Sequence, residues 1–292
     1  MLAQQIVNGV VVGATYALFA LGFTLMFGVL RVVNLTYGFY FSAGAFIALY
    51  FMTTGGLSVW VALPAAALTV GALSVVLDQL LLTRSRRTDA SEMSSLMITL
   101  GATLLLYSLA TAWLGADIRR MPAGLLGVAS GFGGVRFTGI QIVILGTSAL
   151  IVWGLFALLR WTKLGIAIRA LAENSDAATL MGINTRLTFA IVSFVSGLLG
   201  ATAGVLVGMN YNGVQPYMGE TMILKGFAVI ILGGLGDVRG AVVAGVFVGL
   251  LETLVAAYAA SSLREAVAFL ALVLVLWVRP SGLFGVSEAR RA

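Results

Sequence analysis

Long apolar stretches follow one another along this chain, separated by short polar breaks. They cover about 6–30, 37–53, 57–82, 94–115, 138–159, 186–209, 222–236, 240–257 and 264–279. A helix needs about 20 apolar residues to cross roughly 30 Å of hydrocarbon. In lipid only helices or closed barrels satisfy their backbone groups. The runs are continuous rather than alternating ten-residue segments, which predicts helices over a barrel. Two runs, 222–236 and 240–257, are short. The break between them, Gly233-Gly-Leu-Gly-Asp-Val-Arg-Gly240, reads either as a cytoplasmic turn or as an interruption inside the membrane. The expectation is an all-α polytopic integral membrane protein with about 8–9 transmembrane helices, a single domain over 1–292.

Composition narrows the chemistry. The 292 residues are 60% hydrophobic and 10% charged, and the 36 glycines suit close helix packing in lipid. Histidine and cysteine are both absent, which excludes disulfides, zinc sites, thiolate nucleophiles and imidazole acid–base catalysis. The net charge of +6 does not form a basic stripe interleaved with aromatics, so no nucleic-acid partner is expected. The N-terminal run begins without Lys or Arg and is too long for the core of a signal peptide.

Basic residues sit at the ends of apolar runs, as membrane topology demands. Arg84, Arg86 and Arg87, the segment Arg160–Arg186 and the segment Arg279–Arg291 fall on one side if nine crossings are counted. That side is assigned to the cytoplasm, leaving the N-terminus outside. The connection 116–137, with Arg119, Arg120 and Arg136, runs against the rule. Small residues recur every fourth position at Gly9/Gly13/Ala17, Ser196/Gly200/Gly204/Gly208 and Ala241/Gly245/Gly249. They are expected to pack helices within the chain, or one of them to form a seam between subunits. Asp78, Lys225 and Glu252 lie near predicted span ends, where long side chains snorkel. Glu252 is singled out as a possible intramembrane charge, serving helix–helix hydrogen bonding or the transport cycle.

One stretch breaks the economy of so apolar a chain. Arg169-Ala-Leu-Ala-Glu-Asn-Ser-Asp-Ala-Ala-Thr-Leu-Met-Gly-Ile-Asn184 is charged, Ala-rich and helix-prone. No Gly-x-x-x-x-Gly-Lys-[Ser/Thr] phosphate loop exists around the two lysines, Lys163 and Lys225. No chain of buried carboxylates or histidines suggests proton coupling. A transport channel with neither motor nor relay invites an external motor, and this stretch is where one would act. Ser175 or Asp176 can cap a short helix ending at Gly182, with Leu180 and Met181 as an apolar docking knob. The competing reading is an amphipathic helix lying on lipid headgroups.

Here the chain resembles a known family. Asp176-Ala-Ala-Thr-Leu-Met-Gly182 is similar to the Glu-Ala-Ala-x-x-x-Gly signature of ABC importer permeases, with Asp for Glu. Several stretches together resemble the branched-chain amino-acid ABC transporter permease family. They are Lys163-Leu-Gly through Arg169 and Asn174 to Asn184, Asn8 to Leu18 with Gly22 and Gly28, Lys225-Gly-Phe with Leu232 to Ala241, and Pro280-Ser-Gly-Leu-Phe-Gly285. The resemblance implies a permease subunit of an ATP-driven importer, without its own ATPase site or bound cofactor, in the bacterial inner membrane. It implies a second homologous permease, two cytoplasmic ATPases that use the ATP, and an extracytoplasmic substrate-binding protein as partners. The ATPase-coupling segment would be about 163–185, with Arg169, Glu173, Asn174, Asp176, Ala177, Ala178, Leu180, Met181 and Gly182 as its residues. Branched-chain amino acids or related small polar organic solutes would be the cargo. The alternative is an ion-coupled secondary transporter acting without ATPases.

Two departures stand out. Where the family commonly reads Asn-Phe-Ala-His-Gly-Glu, this chain has Asn34-Leu-Thr-Tyr-Gly-Phe39, and Asp78-Gln-Leu-Leu-Leu-Thr-Arg-Ser-Arg86 lacks the family's proline. The Gly-interrupted segments 28–44 and 233–249 lie in opposite halves, and paired broken helices point to a translocation path. Asn34, Thr36, Tyr37, Gly233, Gly234 and Gly236 are therefore expected to border it, or else to form two ordinary tight turns.

Overall fold

The structure, a computed structural model, describes residues 2–30, 32–87, 92–122, 128–132, 135–279 and 282–285. Five helices come first: α1 (Leu2–Leu30), α2 (Thr36–Thr53), α3 (Val59–Arg87), α4 (Glu92–Leu114) and, after a small hairpin, α5 (Gly139–Trp161). The hairpin pairs β1 (Val128–Phe132) with β2 (Val135–Thr138), antiparallel. Two short helices follow, α6 (Lys163–Glu173) and α7 (Ser175–Leu180). Then come α8 (Thr185–Tyr211), α9 (Met218–Gly233), α10 (Val238–Tyr258) and α11 (Arg264–Val278).

Every apolar run read from the sequence is helical. Six helices have the length and composition to cross a membrane: α1, α3 up to Leu82, α4 from Met93, α5, α8 and α10. The count of 8–9 spans is thus not reached on those criteria: α9 and α11 have only 16 and 15 residues, and α2, with 18, is too rich in Tyr, Gly, Ser and Thr. The outward surface agrees with immersion. All five tryptophans, Trp60, Trp113, Trp153, Trp161 and Trp277, are exposed, and four of them stand within a turn of a helix end, where interfacial rings anchor.

The two faces of the bundle are defined by which ends meet. At one, the Gln4 amide donates to the Arg136 carbonyl at 3.0 Å, Gln141 donates to Asn8, and Arg119 bridges Val214. At the other, Gly28 of α1 touches Gly236, and the start of α4, the end of α5 and the second half of α6 gather around the same space. Leu283 and Phe284 donate there to the Leu232 and Gly233 carbonyls. The segment Arg160–Arg186 and the chain following Arg279 therefore share a face, opposite the N-terminus, as the basic residues required. Arg290 and Arg291 lie outside the described residues.

The core repeats one arrangement upside down. α1 packs on α10 as α8 packs on α3, α2 pairs with α3 as α9 pairs with α10, and α1–α8 and α2–α9 meet across the middle. α1 runs away from the N-terminal face while α8 runs toward it, so the two three-helix units are inverted. The small-residue stripes make close contacts within the chain. Gly9, Gly13 and Ala17 mesh with Gly245, Gly249 and Leu250, and a Cβ at Gly13 would stand 2.6 Å from the Val246 Cα. Gly200 and Gly204 receive Tyr37 and Phe41 of α2. Burial follows: α1 and α8 are 78% and 67% buried, α4 and α5 only 22%.

Candidate coupling surface and membrane core

The polar stretch folds as two linked helices below the bundle. Thr162 ends α5, and its hydroxyl accepts from the Gly165 N–H at 3.0 Å to start α6. A side chain at Gly165 would strike the Leu158 and Leu159 carbonyls, so the reversal needs glycine. α6 buries Ile168 and Leu171 against the bundle. Asn174 then closes α6 and caps α7, its Oδ1 accepting from Asp176 N and Ala177 N, both at 3.0 Å. The cap is thus Asn174 rather than Ser175 or Asp176. Asn has the extended backbone a cap requires, φ −154° and ψ 110°. Gly182, at φ +85°, ends α7, with Ile183 N donating to the Ala178 carbonyl. Asn184 caps α8 through Leu187 N.

This geometry splits the expected coupling residues into two groups. Ala178 is buried and anchors α7, while Leu180 and Met181 project with 89% and 86% of their surface exposed. Two large apolar side chains held on a capped turn thus form an exposed apolar knob. Arg169 and Glu173 face the other way, into a cavity of about 1250 Å³ on the same face. Arg169 donates to the Leu159 carbonyl at 2.6 Å. Thr24, Val33, Leu96 and Gly236 also line this cavity.

The predicted path residues separate by depth. Asn34 and Thr36 are fully buried at the start of α2, where the Asn34 Oδ1 accepts from Thr36 N at 2.9 Å and from the Thr36 hydroxyl. Tyr37 is also fully buried, packs against Gly22 and Gly200, and donates to the Phe19 carbonyl at 3.0 Å. α2 therefore starts in the middle of the bundle. Gly233, Gly234 and Gly236 lie lower, at the face that carries α6. Gly233 packs on Gly240 and Gly234 on Gly285, and Gly236 alone of the three glycines lines the cavity. The break at 233–240 is a turn at that face.

The second mid-bundle break lies elsewhere. After α8, residues 212–217 fold back inward, Val214 packing on Gly208, so that α9 also starts at mid-depth. The starts of α2 and α9 meet there. Gly219 N donates to Ser42 Oγ at 3.0 Å, and a Cβ on Gly219 would collide with the Gly38 carbonyl. Sequence reading began this helix at 222, four residues after its observed start at Met218.

Glu252 is fully buried, and Lys225 keeps 14% of its side-chain surface, so snorkelling at span ends does not describe them. Glu252 accepts from Lys225 Nζ at 2.5 Å and from the Tyr16 hydroxyl at 2.5 Å, and Arg264 Nε lies 3.6 Å away. Arg264 also donates to the Tyr211 hydroxyl at 2.6 Å. One carboxylate and two cations thus link α1, α8, α9, α10 and α11. Asp78 is likewise buried, close to Tyr40. Among the described residues no group of three or more carboxylates could hold a metal.

An inverted pair of helical units, with two short helices starting at mid-depth and a capped helix pair under one face, defines a polytopic membrane permease domain. The chain belongs to the family of the branched-chain amino acid transport system permease component, whose model matches residues 5–277. It is 29% identical to the high-affinity branched-chain amino acid transport system permease protein LivH of Escherichia coli K12, over 99% of this chain and 97% of that one. Identity is also 29% to the corresponding permease protein BraD of Pseudomonas aeruginosa, with the same coverage. The fold is similar to a chain of PsaBC from Streptococcus pneumoniae in complex with Fab. There the TM-score is 0.52 and the identity 12%, over 96% of this chain and 92% of that one.

Proposed function

We propose that the chain forms half of the membrane channel of an ATP-driven importer for branched-chain amino acids or related small polar organic solutes. It crosses the bacterial inner membrane nine times, α2, α9 and α11 included, with α6 and α7 in the cytoplasm. A second, homologous permease completes the channel, two ATPases dock on α6–α7, and a binding protein delivers solute to the opposite face. The chain binds no nucleotide and no cofactor itself; ATP is used by the ATPases. The observation that carries this reading is the capped α7 turn, which holds Leu180 and Met181 out from a buried Ala178.

Transmission runs from that knob through α7 and Asn174 to α6, whose Arg169 and Glu173 line the cavity where solute would leave. Asn34, Thr36 and Tyr37 form the floor between the two sides, and Gly236 borders the exit.

Co-purification of two P-loop ATPases and ATP-dependent leucine uptake in proteoliposomes is the expected result. Uptake by this chain alone would overturn the reading in favour of a secondary carrier. At finer grain, Leu180→Ala is expected to weaken ATPase retention about tenfold, since truncating a docked Leu removes roughly 1–2 kcal/mol of apolar contact. Titration of the ATPases onto the purified permease pair measures this. Gly182→Leu, strained at φ +85° with open space around it, should reduce coupled uptake while leaving the bundle folded; unchanged uptake would remove α7 from the coupling role.

A further inference from the structure

Glu220 is an exposed carboxylate at a depth where the surrounding outward surface is apolar. Its depth follows from packing. Gly219 backs onto Gly38, and the start of α2 lies beside Gly200, roughly 16 Å short of the Tyr211 end of α8 at 1.5 Å per residue. With hydrocarbon about 30 Å thick, that level is inside the apolar layer. No cation among the described residues pairs with Glu220; Lys225, on the next turn, is held by Glu252 and Tyr16. An ionisable side chain at such depth faces water or another chain rather than lipid.

A second group at the same place is incompletely satisfied. The Tyr107 hydroxyl on α4 is buried, with 3% of the residue exposed, and lies beside Ser42, whose oxygen accepts from Gly219 N, without itself completing a hydrogen bond. It is aimed at the first turn of α9, 2.7 Å from where a Gly219 Cβ would stand, and is near enough to Glu220 to feel its charge. Tyr217 packs on the Tyr107 ring at 5.3 Å and is itself exposed, as are Thr221 and Leu224 on the same side of α9.

We propose that Tyr107, Tyr217, Glu220 and Thr221 form a solute station in the outer half of the path, facing the second permease. Glu220 takes the ammonium group of an α-amino acid, and the Tyr107 hydroxyl, covered by the first turn of α9 in this conformation, takes its carboxylate once that turn shifts. This rests on the half-channel reading above. The chemistry suits a zwitterion. The carboxylate side chain offers the only negative charge on this face of α9, while the helix start and the free phenol favour a negative group. The Tyr217 ring and Leu224 supply apolar cover for an aliphatic side chain.

The chain has no cysteine, so a single Glu220→Cys thiol can be followed on this subunit in the assembled transporter. It is expected to react with a water-soluble methanethiosulfonate, because the position faces water and not lipid. Loss of a charge-assisted hydrogen bond should lower leucine uptake by Glu220→Gln roughly tenfold or more, with Glu220→Asp retaining more than Gln. A thiol unreactive in every nucleotide state, or Glu220→Gln uptake within about twofold of wild type, below what one such bond contributes, would overturn the station. Absence of leucine uptake by the wild-type complex is a different outcome: it overturns the importer reading on which the station rests.

Discussion

Replacing Lys225 by methionine is expected to destabilise the folded chain by about 3–5 kcal/mol, the usual consequence of stripping one partner from a buried ion pair. Glu252 has no solvent of its own, and its two oxygens are committed to Lys225 and Tyr16. Arg264, 3.6 Å away and one-third exposed, offsets part of the loss, which places the effect at the lower end. The test is the thermal unfolding of the purified complex alongside the double variant Lys225→Met/Glu252→Gln. Removing both charges leaves no orphan carboxylate, so the double variant should recover most of the lost stability. A double variant as unstable as the single one would show that packing, and not charge, matters at this site.

The other large effect is expected at Gly219. A valine there would drive its side chain into the Gly38 carbonyl and the Tyr107 hydroxyl, and neither backbone can yield without parting the starts of α2 and α9. Overpacking usually costs about 1–3 kcal/mol, and more where backbone is struck. Gly219→Val should therefore reduce the yield of monodisperse complex on size exclusion. Gly101→Ala, on an exposed turn of α4 with nothing within 4 Å of the added carbon, should leave the yield unchanged or higher. Equal yields from the two would mean that α2 and α9 do not need this contact.

How much of this was legible beforehand depends on the kind of information involved. Apolar runs reveal helices because lipid forces every backbone group into helical bonds, and every predicted run is helical. The stripes at Gly9/Gly13/Ala17 and Ala241/Gly245/Gly249 were readable for the same reason, since only small residues let backbones approach. That they mesh with each other was not readable, for nothing local couples residue 13 to residue 249. Depth was invisible too. Hydropathy does not distinguish a run starting at the surface from one starting at mid-membrane, so 212–217 fell outside the runs unremarked and the break at 233–240 stayed open between a turn and an interruption. Lys225 and Glu252 looked peripheral because each lies near the end of an apolar run; they meet because α9 and α10 are antiparallel about a tight turn. The local structure of 163–185 was the most legible part, the Asn174 cap excepted, because caps and Gly182 are local signals.

The seam between α1 and α10 also has a consequence in time. Roughly 240 residues separate Gly9 from Leu250, and a chain made at about 5–20 residues per second needs some 12–50 seconds to span that interval. Through that window the first helix waits in the bilayer with its glycine stripe uncovered and Tyr16 without its carboxylate. A nascent chain stalled before α10 would thus present a sticky, half-polar helix to whatever surveys the membrane. Completion of biosynthesis, and not insertion of any single helix, is the event that hides it.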